Sequence, residues 1–163
     1  MSRDLFAFAG AERQPQAEAD SLTDEIVVTT PEHLALIDVT ARVAMRVRAT
    51  GVRTGVAHVH SCHTTTGLVL NENEPLLLED LRRTLERLSP PGLSYAHDDI
   101  ARRGCPPEEP RNGAAHCSAL LLPSSQCLPV RSGRLALGRW QSLFLVELDG
   151  PRRRTLRLTV NGR

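Results

Sequence analysis

Lysine is missing from this chain: all 20 basic residues are arginine. No mechanism here can use a lysine Schiff base or a lysine general base. Aromatic residues make up only 3%, so a core has to be built from Leu, Val, Ala and Ile. No apolar run approaches the ~18–20 residues that cross a bilayer. The opening segment, MSRDLFAFAGAERQPQAEAD, lacks the apolar stretch and cleavage site of a secretory signal. The four cysteines, Cys62, Cys105, Cys117 and Cys127, show no CxxC spacing. Without an export signal they read as reduced thiols of a cytoplasmic protein. An excess of one charge is lacking too: 20 basic residues face 19 acidic ones, a net charge of +1. Neither nucleic acid nor a membrane is therefore expected as a partner. The Walker-type phosphate loop, GxGxxG, HExxH and GxSxG are all absent, which disfavours ordinary nucleotide hydrolysis and serine-hydrolase chemistry.

What remains is a chain of 163 residues, 40% hydrophobic, suited to one globular domain. Residues 1–24 read as a polar, flexible arm and residues 25–163 as the domain. Ile26–Thr30 is β-branched and ends at Pro31, a strand pattern. Asp38 or Thr40 can cap a helix running to about Thr50, with Val43, Ala44 and Val47 on one face, and Gly51 ends it. Gly55–His60 and Thr66–Asn71 read as strands, joined as a hairpin by Ser61–Thr65. Pro75 suits a first helical position, and Leu77, Leu78, Leu81, Leu85 and Leu88 recur at helical spacing. Glu79 and Arg83 make an i,i+4 pair on its outer face. Residues 93–112 are loop-like, and Ala114–Leu121 can form a short helix. Strands follow at Gln126–Val130, Arg134–Leu137, Trp140–Leu148 and Arg153–Asn161, with Asp149-Gly150 as a tight turn pairing the last two. The run Leu143–Val146 is continuously apolar and so central. The sum is an α+β fold with a compact β-rich core, mostly antiparallel strands and two to three helices.

Polar groups concentrate in three segments. HVHSCHTTTGLVLNEN carries His58, His60, His63, Thr64–Thr66 and Asn71-Glu72-Asn73; YAHDD carries His97, Asp98 and Asp99; RNGAAHC carries Asn112 and His116. Three imidazoles with an open position can hold a divalent metal, Zn or Mg, and acidify a bound water. His63, His97 and His116 are the ligand candidates, although their spacing is not diagnostic. Glu72 or Asp98 can orient ring N–H groups or accept a proton. Thr64 and Thr65 can donate hydroxyls to phosphate, although turns favour threonine for local backbone bonding as well. Asn73 can cap the helix that starts at Pro75. Arg152-Arg153-Arg154 reads as a solvated hairpin end rather than a phosphate clamp.

HTTTGLVLNENEP, YAHD, NGAAH and then LPVRSGRLALGRWQSLFLVELDGPRRRTLRLTVNG resemble, in order, the motifs of the YjbQ family. The resemblance spans roughly residues 25–163. It implies a compact α+β fold assembled as a homotrimer, with a polar site whose three histidines fall on His63, His97 and His116. Asn73, Asn112, Gln141 and Glu147 match further motif positions, and Asn73, Asn112 and Gln141 are expected to contact a small phosphorylated substrate. The implied activity is that of a thiamine-phosphate synthase, often called secondary. A metal-dependent hydrolase or phosphatase-like enzyme, and a non-catalytic binder of a phosphorylated metabolite, are the other two readings of the same residues. Two features depart from the family pattern. The loop before His116 carries the Pro-rich GCPPEEPR, and Cys117 follows His116 where relatives carry an aliphatic residue.

Overall fold

The computed structural model describes residues 22–163. The expected arm therefore lies largely outside the described residues, except that Leu22–Asp24 already pair as strand. Among the described residues, eight strands form two sheets. The larger holds β1 (Leu22–Thr29), β8 (Arg153–Gly162), β3 (Thr54–Ser61), β5 (Ser125–Arg131) and β6 (Arg134–Leu135) in that spatial order. The smaller holds β2 (Ala35–Asp38), β7 (Ser142–Glu147) and β4 (Thr66–Asn71). Every pairing is antiparallel. Four helices of the described residues accompany them: α1 (Thr40–Ala49), α2 (Pro75–Leu88), α3 (Ile100–Arg103) and α4 (Gly113–Ala119). A 3₁₀ turn at Ala96–Asp98 precedes α3. The fold is α+β, as the periodicity predicts.

Packing explains the apolar run in β7. Leu143 and Leu145 join the core formed by α1, through Val43 and Val47, and by the inner face of the larger sheet, through Val28, Val59, Leu128, Leu156 and Leu158. Val146 and Leu148 face the other way, into a smaller core with Leu85 of α2 and Ala115 of α4. Both faces of the strand are covered, so alternation is replaced by a continuous run. Strand β8 has one wet face instead: Leu156, Leu158 and Val160 are buried while Arg157 is exposed.

Two expected hairpins do not form. Strands β3 and β4 belong to different sheets, β3 between β8 and β5 and β4 against β7. Strands β7 and β8 are likewise in different sheets. In each case the short connection carries the chain from one sheet to the other. Proximity in sequence suggested pairing, but burial of two separate cores decided otherwise. Helix α2 also differs in detail. Glu74, not Asn73, caps it, accepting from the amides of Leu76 at 3.0 Å and Leu77 at 2.7 Å. Leu88, expected on the core face, is exposed. The Glu79–Arg83 pair forms.

Candidate functional site

The chain passes between the sheets at residues 30–34, 62–65 and 148–152, and these crossings meet. The Thr30 amide donates to the Arg152 carbonyl at 2.8 Å, and the Leu148 amide to the Thr65 carbonyl at 3.2 Å. Glu147 sits at their junction, fully buried. Its Oε1 accepts from the amides of Asp149 and Gly150, both at 2.8 Å, and from Arg154 Nη2 at 2.5 Å. Its Oε2 accepts from Arg154 Nε at 2.6 Å and from the Thr30 hydroxyl at 2.9 Å. Burial alone would raise the pKa of this carboxyl, but the Arg154 fork and the two amides outweigh it and hold it at about 2. Arg154 also donates to the Thr65 hydroxyl at 3.0 Å.

This junction forms the floor of a cavity of about 440 Å³. Arg154, Arg152 and Thr65 line it from the crossings, Thr64 from beside His63, and Arg103, His97, Asn112 and His116 from the helical segment. The rings of His97 and His116 touch, with centroids 4.6 Å apart and planes inclined by 60°. Burial lowers the pKa of His116, and the neighbouring His97 and Arg103 lower it further, against the pull of Asp149. Asp149 is shared: Arg152 pairs with it at 2.9 Å and Asn112 donates to it at 2.8 Å. Arg103 donates to the His97 carbonyl at 3.0 Å, fixing that turn. From the Pro-rich loop, Glu109 and Pro110 complete the wall, with Glu109 4.0 Å from Arg103. Each arginine has an acidic neighbour, so the cavity offers directed donors rather than a large net charge.

His63 stands apart from the touching pair. Its Nε2 accepts a hydrogen bond from the Thr155 amide of β8 at 2.7 Å. Burial lowers its pKa, and Arg154 adds to the effect against Glu147; an Nε2 that accepts from an amide is unprotonated, so the ring is neutral in this arrangement. A neutral ring whose Nε2 accepts carries its proton on Nδ1 and has no lone pair left for an ion. Among the described residues, no group of three or more His, Cys, Asp or Glu side chains is placed to hold a metal. The expected three-histidine metal centre does not fit this arrangement. Its histidines are instead a touching pair and a tethered Nδ1–H donor.

The remaining candidates divide. Thr64, Thr65 and Asn112 share the cavity with His97 and His116. Asp98 turns away from it and accepts from the Gly113 amide at the start of α4 at 2.8 Å. Gly113 has to be glycine there, because a Cβ would lie 2.5 Å from Tyr95 Cβ. Asn73 donates to Asp38 at 2.9 Å, and Gln141 accepts from the Gly138 amide at 2.8 Å. Those two and Glu72 lie beyond the Asn71–Ser142 end of the β4–β7 ladder, whereas the Thr66–Glu147 end adjoins the cavity. Sequence reasoning missed Arg103, and it read Arg152-Arg153-Arg154 as a solvated hairpin end, whereas Arg154 is buried against Glu147 and Arg152 lines the cavity. A signal was available for Arg154, which falls in phase with the inward-facing Leu156, Leu158 and Val160.

Two antiparallel sheets with helices packed against them, and a polar cavity where the chain crosses between sheets, define the class: an α+β protein with a polar cavity at its sheet crossings. The family described as "UPF0047 protein YjbQ-like" matches residues 24–163. The chain belongs to that family. A UPF0047 protein of Methanothermobacter thermautotrophicus is 39% identical over 141 residues, covering 86% of this chain and 92% of the relative. The UPF0047 protein YugU of Bacillus subtilis is 33% identical over 137 residues, covering 83% of this chain and 96% of the relative. A crystal structure of a YbjQ-like protein of unknown function from Sulfolobus solfataricus superposes with a TM-score of 0.81 at 33% identity, covering 89% of this chain and 99% of that one.

Proposed function

We propose that the cavity at the crossings binds the phosphate of a small phosphorylated metabolite and that the His97–His116 pair exchanges protons with it. One observation carries this reading: Arg103, Arg152, Arg154, Thr64, Thr65 and both histidines line a single cavity. Guanidinium forks match phosphate oxygens in geometry, and hydroxyls add directed donors. The carboxylates behind Arg152 and Arg154 hold those side chains in place before a ligand arrives, so little entropy is lost on binding. Of two imidazoles in contact, one can take up a proton when a dianion enters and pass it to a departing oxygen.

The activity implied by the family resemblance suits such a site. Joining a pyrimidine diphosphate to a thiazole phosphate forms a C–N bond and breaks a C–O bond. The departing diphosphate leaves with its charge, which arginines and an imidazolium stabilise. Hydrolysis of a phosphate ester makes a similar demand. Glu72, Asn73 and Gln141 enter the reaction only if another copy of the chain, as in the implied homotrimer, brings them to the cavity. A sedimentation mass of three chains is expected; the mass of one chain removes those three residues from the site.

The test is a titration of the full chain with inorganic phosphate and with diphosphate, followed by thermal unfolding. Saturable stabilisation is expected, and Arg152→Ala and His97→Ala should each weaken it. No stabilisation of the native protein by either anion sinks the reading. Thiamine phosphate formation and phosphate release from an ester panel, each set against His97→Ala, then separate synthase, hydrolase and simple binder.

A further inference from the structure

The carboxylates at the phosphate cavity are not held alike. Glu147, on its floor, accepts from two amides, from the Thr30 hydroxyl and twice from Arg154. Asp149 is tied to Asn112 and Arg152. Glu109, in the wall, differs. Its amide donates to the Pro106 carbonyl at 3.0 Å, and Pro106, Pro107 and Pro110 restrict the backbone around it. A stiff turn thus presents this residue to the cavity. Its carboxylate is loose by comparison. Among the described residues its one ion-pair partner is Arg103, with Oε1 4.0 Å from Nη2 and the glutamate side chain 46% exposed. Arg103 is anchored elsewhere: its Nη1 donates to the His97 carbonyl at 3.0 Å. The guanidinium therefore stays at the wall whether or not Glu109 is beside it. Nη2 is a donor that an entering phosphate can use. A phosphate oxygen and a carboxylate oxygen cannot occupy the same N–H edge, and two anions side by side repel. A partly exposed pair at this distance is weak, so Glu109 can be displaced, whereas the pinned carboxylates of Glu147 and Asp149 cannot.

We propose that Glu109 is a built-in competitor of the ligand: in the free protein it shields the Nη2 edge of Arg103, and a phosphoryl group binds there by displacing it into solvent. The affinity of the cavity is then set by the departure of this carboxylate as well as by the arginines that remain. Arg103 is the arginine whose availability changes on binding, and Arg152 and Arg154 are the constant ones. This inference rests on the phosphate reading and adds to it the one group that has to leave.

Calorimetric titration of the full chain with diphosphate tests it, in the native protein, Glu109→Gln, Arg103→Met and the double variant. Diphosphate serves because its second phosphoryl group can keep to Arg152 when Arg103 is gone, which holds binding in a measurable range. Glutamine preserves the size of the Glu109 side chain, and at an exposed position it should leave the unfolding midpoint unchanged. Glu109→Gln is expected to bind diphosphate about three- to fivefold more tightly than the native chain. Arg103→Met should bind more weakly, and adding Glu109→Gln to it should give little or no gain, because the edge under competition is missing. An affinity unchanged or lowered in Glu109→Gln overturns the inference and leaves the phosphate reading standing. A gain of equal size with and without Arg103 also overturns it, since Glu109 would then act as a general repelling charge. Binding by none of the four proteins removes both readings together.

Discussion

Glu147 is buried with five donors and one ion-pair partner, Arg154. Removing either member leaves the other charged and dry, which typically costs about 3–5 kcal/mol. Arg154→Met and Glu147→Gln should therefore each lower the urea midpoint markedly. The double variant should recover part of the loss, because it leaves no uncompensated charge. The same carboxyl makes stability pH-dependent. Its pKa is depressed to about 2 in the folded chain from an ordinary 4.5, so the folded state binds fewer protons than the unfolded one. The stabilisation is complete above about pH 4.5 and is lost as pH falls towards 2. Acid unfolding followed by circular dichroism should show this loss in the native chain and a flatter profile in Glu147→Gln.

At the scale of elements, the connections matter more than the strands. Gly150 lies where β7 hands over to β8, and a Cβ there would meet Glu147 Cγ at 2.8 Å and the Thr30 hydroxyl at 2.9 Å. Gly150→Ala should cost about 1–3 kcal/mol by forcing these groups apart, measured as a drop in the denaturation midpoint. From sequence this glycine reads as the turn residue of a hairpin; in the structure it is the close approach that seals a buried carboxylate. Helix α2 offers a second comparison. Glu74→Ala removes both cap bonds and should cost about 1 kcal/mol, whereas Asn73→Ala removes only an exposed contact to Asp38 and should cost less. Equal losses would show that the cap is shared.

Across the whole molecule, the site depends on three crossings and a helical segment held together by long-range contacts. Sulfate, which stays fully ionised across the neutral range, is a convenient probe of how these parts act together. His116 is held below its usual pKa by burial and by the His97 and Arg103 beside it, and an entering dianion opposes that shift. The bound state then holds more protons than the free one, so sulfate should bind more tightly as pH falls from above the usual histidine range into it. In His116→Gln the dependence should flatten. A pH-independent affinity in the native chain would remove His116 from proton exchange.

Much of this was legible in the sequence. Helices α1 and α2, the strand positions other than that of β2, and the α+β class follow from periodicity, proline and glycine, because those express local sterics and the side on which each residue meets the core. The histidines, the Thr64-Thr65 pair and Asn112 were visible as an excess of polar groups in a chain otherwise poor in motifs. Only the tertiary structure decided which strands pair, because two cores on opposite faces of β7 reward long-range partners over neighbours in sequence. It also decided what the polar residues do. Arg154 became a buried partner of Glu147, His63 was tethered by an amide 92 residues away, and Asp98 was taken up in holding α4. Those roles depend on where separate crossings meet, and spacing along one chain carries no record of that meeting.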